Sequence, residues 1–116
     1  MSIIDTLDIK ISQSDRHVLI TLVGSASMEH CDRLNESLLE ACKLQPRLLV
    51  IDLSRLEFIC SLGLGGFVVA YLRIQKYGGR IGLLCPMPAI RDMLATTKLG
   101  TLLPVYDTLD QAIAGT

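Results

Sequence analysis

The sequence predicts a single α/β domain over residues 1–116, with a four- or five-stranded mixed sheet and helices packed largely on one side. Three observations lead there. The hydrophobic period switches repeatedly between that of a strand and that of a helix. The first two strand-like runs are separated only by a turn, so the sheet begins antiparallel. Each later strand-like run is divided from the next by a helical run, which demands parallel strands joined by crossovers.

The elements follow in order. Leu7, Ile9 and Ile11 alternate with polar neighbours, as in a half-buried strand. Ser12 to Asp15 reads as a turn, leading into "HVLITLVG", a second strand that Gly24 is expected to end. From Ser27 the period becomes helical: Cys31, Leu34, Leu38, Ala41 and Cys42 form one stripe, with Glu29, Asp32, Arg33, Glu36 and Glu40 off it. Ser27 reads as the N-cap, and Glu29 and Asp32 suit the positive end of the helix dipole. Pro46 marks the exit. "RLLVIDL" is almost unbroken in its apolarity, the mark of a central strand buried on both faces.

After "SRLEF" comes the stretch "FICSLGLGG", Phe58 to Gly66, and a second helix from Ser61 to Lys76, closed by Gly78-Gly79. "RIGLLC" is another strand. Pro88 suits a helix start and Gly100 a helix end. "TLLPVY" makes a short last strand, and "TLDQAIA", capped by Thr108 or Asp107, a final short helix. The order is ββαβαβαβα.

Composition narrows the function. Half the residues are hydrophobic and a fifth charged, which argues against disorder. A formal net charge of −1 gives no reason to expect nucleic acid or an anionic membrane, and with no Trp there is little to stack bases on. Cys31, Cys42, Cys60 and Cys85 lack zinc-site spacing, and His17 and His30 do not complete one, so no metal is expected. "MSIIDTLDIK" carries no basic-then-apolar leader, and the four cysteines read as reduced thiols in a cytoplasmic protein. The longest uncharged run, Phe58 to Leu72, is shorter than the ~20 residues of a membrane span, so direct membrane insertion is not expected.

The glycine-rich stretch admits four readings. Gly63 and Gly65 are spaced like the start of a dinucleotide fingerprint, but the third glycine position is Val68. The preceding strand reads as ending well upstream, and no acidic residue follows at the required distance. No cofactor is expected. As a nucleophile, Ser61 lacks the glycine two places before it, and nothing along the chain brings Cys60 or Ser61 to His17 or His30. No catalytic residue, and no enzyme, is expected.

The third reading is packing. At 100° per residue, Leu64, Phe67, Val68, Tyr71, Ile74 and Gln75 share a core side, while Leu62, Gly65, Gly66, Val69, Arg73 and Lys76 lie opposite. Two interior glycines cost a helix ~1 kcal/mol each relative to alanine. On an outward face their smallness is useful when another backbone comes close. That face therefore reads as a docking surface, with a merely solvated face as the alternative. The fourth reading adds Ser61 at the helix mouth, where free N–H groups and the dipole favour anions. A phosphate there would leave the fold intact and oppose docking beside Leu62. An ordinary N-cap serine is the plainer alternative.

The run "LLVIDLSRLEFICSLGLGGFVVAYLRIQKYGGRIGLLCP" resembles the STAS domain of anti-sigma-factor antagonists, and the likeness extends over nearly the whole chain. Their pattern is an apolar strand ending in Asp-Leu, a phenylalanine or similar residue, and Asp-Ser-Ser/Thr-Gly-Leu-Gly opening a helix. Asp52 and Leu53 match the strand end, Ser61 the phosphorylated serine, and Gly63, Leu64 and Gly65 the Gly-Leu-Gly. Cys60 stands where the family has aspartate, Leu62 where it has a second Ser/Thr, and Ser27 where it has an acidic residue before the first helix. The resemblance implies a STAS-type fold in a bacterial protein and a partner-switching role in transcription regulation. The partner would be an anti-sigma factor that is also a serine kinase of the histidine-kinase-like ATPase type, with phosphorylation at Ser61 ending the interaction. Ser27, Cys60, Ser61, Leu62, Gly65, Gly66, Val69 and Arg73 are the expected partner-binding residues. The lost acids motivate the alternative of a constitutive, unphosphorylated STAS module in a transporter or signalling assembly.

Overall fold

The computed structural model describes residues 6–115. Residues 1–5, part of the segment read above for a leader, and residue 116 lie outside that range. Five strands form one sheet in the order β1-β2-β3-β4-β5: β1 Leu7–Gln13, β2 His17–Ala26, β3 Leu48–Ile59, β4 Arg80–Leu84 and β5 Val105–Tyr106. Strand β1 runs antiparallel to β2, and every other neighbour is parallel. The helices are α1 Cys31–Lys43, α2 Ser61–Gln75, α3 Pro88–Thr96 and α4 Leu109–Ala114. The architecture is the mixed α/β sheet expected.

One core takes most of the apolar side chains. Leu34 and Leu38 of α1, Phe67 and Ile74 of α2, and Ile90 and Leu94 of α3 pack with Ile20, Leu22, Leu49 and Ile51 of the central strands. Leu48 and Val50 point the other way and are covered by Ala112 and Leu109 of α4. The doubly buried run in β3 thus reflects helices on both faces, three on one and a six-residue helix on the other. Phe67 is fully buried, and truncating it to alanine would cost ~3–5 kcal/mol.

Strand β1 runs on to Gln13 into the expected turn, and the strand expected from Thr101 is confined to Val105–Tyr106 after a 3-10 turn at Leu99–Thr101. Four further boundaries differ from the sequence reading, each for a local reason. Strand β2 continues through Gly24 to Ala26, because Gly24 adopts φ +110° and absorbs an irregularity in the pairing with β3. A β-carbon there would strike the Thr6 carbonyl. Strand β3 extends to Ile59, seven residues past Asp52 in the same strand. Ser27 caps a short 3-10 turn, Met28–His30, and α1 proper begins at Cys31. Helix α3 stops before Gly100: the Thr97 hydroxyl donates to Met93 O at 2.7 Å, and Lys98 turns left-handed at φ 60°. At the end of α2, Gly78 takes φ +85°, the closing geometry anticipated. Thr108 caps α4, its Oγ1 accepting from Gln111 N at 3.1 Å.

Candidate functional site

The mouths of α1 and α2 lie side by side because β2 and β3 end in register. Ala26 pairs with Ile59, and Cys60 N donates to Ala26 O at 2.9 Å. One residue, Cys60, separates β3 from α2 and occupies its N-cap position. The stretch therefore follows its strand directly, correcting the upstream strand end used against a dinucleotide loop. A phosphate cradle is still absent at this point, because Gly63 and Gly65 are already inside the helix. Gly63 is small for packing: a β-carbon would come within 2.7 Å of Ile59 and 3.4 Å of Leu34.

Ser61 is the first residue of α2 and not its cap. It is exposed, and its hydroxyl makes no hydrogen bond among the described residues. The first bond of the helix runs from Leu64 N to Cys60 O at 3.1 Å, so the amides of residues 61–63 carry the open, partially positive end. His17 starts β2 at the far end of the sheet, some nine residues or ~30 Å from the Ala26–Ile59 pair. It cannot serve as a base for Cys60 or Ser61.

From Ser61 a groove of about 390 Å³ runs between α2 and α1. Six of the expected partner-binding residues line it: Ser61, Leu62, Gly65, Gly66, Val69 and Arg73. Leu62 is 54% exposed and Val69 46%, large apolar surfaces on an outward face. Gly65 is open, with nothing within 4 Å of a would-be β-carbon. Gly66 is not outward in the same sense: its β-carbon would overlap the Asn35 amide oxygen and stand 3.3 Å from Leu38. It lets α1 and α2 approach.

The opposite wall comes from Asn35, Leu38 and Leu39 of α1, which the sequence reading did not include. Leu39, apolar yet off the α1 core stripe, is the one sequence signal for that wall, and the sequence reading did not use it. Asn35 Oδ1 is buried and accepts no hydrogen bond among the described residues. Gln75, assigned to the core side of α2, is exposed and donates to Tyr71 Oη at 2.9 Å, while Gly63 and Ala70 are the buried residues in its place. A larger cleft, about 710 Å³, is lined by Arg16, Arg47 and Arg80 among others, at the opposite ends of the parallel strands. In open α/β sheets ligands bind beyond the carboxyl ends, where Ser61 sits.

Cys31 and Cys60 pair as a disulfide, sulfur against sulfur, with Cα atoms 7.7 Å apart. The expectation of four reduced thiols is corrected: Cys42 and Cys85 alone are free. The two partners are 29 residues apart in sequence, and only the Ala26–Ile59 register brings them together. At 8% exposure, Cys60 offers a partner little side-chain surface. Ser27 is half-buried at the end of β2 and stands outside the groove lining, its carbonyl accepting from His30 N at 2.9 Å. Cys42 seams α1 to α2, its sulfur 4.0 Å from Ala70 O, and burial pushes its thiol upward while Arg73 lowers it. Among the described residues no cluster of three or more His, Cys, Asp or Glu could hold a metal, and no helix is long and apolar enough to cross a membrane.

Residues 8–112 match the family model of the STAS domain. No curated protein matches. Among solved structures, the chain is similar to an anti-sigma factor antagonist from Mycobacterium paratuberculosis, with 29% identity, a TM-score of 0.87, and coverage of 98% of this chain and 97% of that one. It is also similar in fold to the Bacillus cell fate determinant SpoIIAA in the phosphorylated form, at 22% identity, TM-score 0.72, and 92% and 97% coverage. A STAS-domain anti-sigma-factor antagonist from Planctomyces limnophilus gives 22%, 0.80, and 94% and 97%.

Proposed function

The chain belongs to the STAS domain family, and from that premise we propose that it is an anti-sigma-factor antagonist that docks through the α1–α2 groove and is released by phosphorylation of Ser61. The partner is an anti-sigma factor that is also a serine kinase of the histidine-kinase-like ATPase type, which supplies the nucleotide site. The domain itself catalyses nothing and acts in the cytoplasm. One observation carries this reading: an exposed, unbonded Ser61 hydroxyl stands on the open end of α2 at the mouth of an apolar groove.

The chemistry is that of an added charge. Phosphorylation places about −1.5 to −2 charges where three free amides and the helix dipole tolerate them. The fold survives. A partner burying Leu62 and Val69 must then desolvate a dianion, which opposes docking by several kcal/mol unless a cation meets it. A solved structural relative, SpoIIAA, is described in a phosphorylated form, which supports the same chemistry here.

Incubation with ATP and a candidate serine kinase of the histidine-kinase-like ATPase type, followed by peptide mass spectrometry and calorimetry, tests the reading. Phosphate on Ser61 together with lost affinity is expected. Tight binding with Ser61 unmodified would instead leave the constitutive module of a transporter or signalling assembly. Two substitutions favour that second reading: Cys60 and Ser27 stand where the family resemblance places carboxylates.

A further inference from the structure

We propose that Cys31 and Cys60 form a reversible thiol–disulfide switch that resets the docking face at the mouth of α2. The inference rests on the groove being the docking site, and deepens it by adding a second control beside Ser61.

Position argues first. The two cysteines head neighbouring helices: Cys31 opens α1, Cys60 caps α2, and Ser61 follows Cys60 directly. A bond between them ties together the two walls of the groove at the end where the serine lies. The other two cysteines have no such geometry, Cys42 being buried and free and Cys85 exposed and free.

Movement argues second. The bridge joins the first residue of α1 to the residue that precedes α2, with Cα atoms 7.7 Å apart. The bond fixes the separation of the mouths of α1 and α2, and releasing it lets them part. Cys60 N is tied to Ala26 O on the strand side, so the displacement is passed forward into Ser61 and Leu62.

The reduced state also has a place for its proton. Cys31 Sγ lies 3.4 Å from the Ser27 carbonyl, a contact in which a thiol S–H donates and a disulfide sulfur cannot. The reduced Cys31 thiol thus keeps an acceptor for its proton.

The oxidant is a low-molecular-weight disulfide. Cys60, 8% exposed against 2% for Cys31, attacks as thiolate at one sulfur of the small disulfide and expels one small thiolate. The Cys31 thiolate then attacks Cys60 Sγ in the mixed disulfide and expels the second. Two electrons pass from the protein sulfurs to the small disulfide, and the two thiol protons finish on the two released thiols. A small dithiol reverses both steps.

The test uses the full chain titrated with oxidised and reduced glutathione. Alkylation in denaturant and peptide mapping are expected to show a Cys31–Cys60 link in the oxidised form, and four alkylated cysteines after dithiothreitol. Amide hydrogen exchange over residues 61–66 should slow at least tenfold on oxidation, recover on reduction, and stay constant in Cys60→Ser, which lacks the attacking thiol. Absence of the link at every glutathione ratio, or a link that leaves that exchange unchanged, overturns the proposal. Kinase affinity is then compared between the two forms, with a tenfold or larger difference expected. A redox-dependent exchange with no kinase binding in either form upholds the switch and removes the docking reading; equal, tight binding in both forms removes the switch as a control.

Discussion

Gly66 of α2 lies directly beneath Asn35 of α1, so that a β-carbon at position 66 would overlap the Asn35 amide oxygen. That oxygen is buried without a hydrogen-bond partner among the described residues. The close pass of the two helices is therefore bought with a glycine and an unpartnered amide oxygen. Gly66→Ala gains ~1 kcal/mol of helix propensity, while the end of the Asn35 side chain must shift to admit the β-carbon. Denaturant unfolding should show a larger gain from Gly66→Ala in the Asn35→Ala background than in the parent chain, with a coupling of about 0.5 kcal/mol or more. Additive effects would mean that the two side chains do not meet.

Gly65, one residue away, behaves oppositely. Nothing lies within 4 Å of its β-carbon position. Gly65→Arg should leave the melting temperature unchanged or higher, since arginine is the better helix former. Partner affinity should fall by ~2 kcal/mol, about 30-fold, if the groove is a docking hot spot. Calorimetry with unchanged affinity would remove the groove from the interface.

Ser61→Ala deletes a hydroxyl that holds nothing, so stability should stay within about ±0.5 kcal/mol. Partner binding should persist and become insensitive to ATP. Ser61→Asp places a carboxylate in the first turn, favoured by the dipole by ~0.3–1 kcal/mol, and should weaken binding while the fold stays intact. An unfolded Ser61→Asp chain would contradict the exposed position of Ser61.

Stability should decline in alkali. Burial pushes the Cys42 thiol above its ordinary 9.0, and burial followed by the Cys42 charge pushes Tyr77 above 10.0. The folded chain holds these protons where the unfolded chain has released them. The stabilisation is complete below about pH 9 and is lost as pH rises through the folded values. Unfolding midpoints from pH 7 to 11 should fall, less steeply in Cys42→Ala. A flat profile in the parent chain would contradict the buried seam.

The fold was readable because its signals are local. The alternation around Ile20, the unbroken run at Leu48–Ile51 and the stripe through Leu34 and Leu38 each report their own element within a few residues. The boundaries that slipped depend on distant partners. Nothing near Gly24 announces that β2 continues past it, since that follows from pairing with β3. Similarly, Thr97 and Lys98 end α3 through a hydroxyl and a left-handed residue that a propensity argument assigns to neither.

The site divides the same way. Seven groove residues come from α2, and a 100° wheel finds five of them, Leu62, Gly65, Gly66, Val69 and Arg73, because they share a face. Periodicity on α2 cannot report what α1 contributes, so Asn35, Leu38 and Leu39 were invisible to it. Nor can it tell Gly65 from Gly66, adjacent letters on one outward arc.

By itself the sequence determined an α/β domain with a mixed sheet, a glycine-bearing second helix and a serine at its mouth. Hydrophobic period and turn chemistry are properties of neighbouring residues. Only the tertiary structure decided that Ser61 is uncapped and exposed, that Gly66 belongs to packing, and that Cys31 meets Cys60. Those three follow from the register of Ala26 against Ile59, a relationship between strands 33 positions apart, which no local pattern carries.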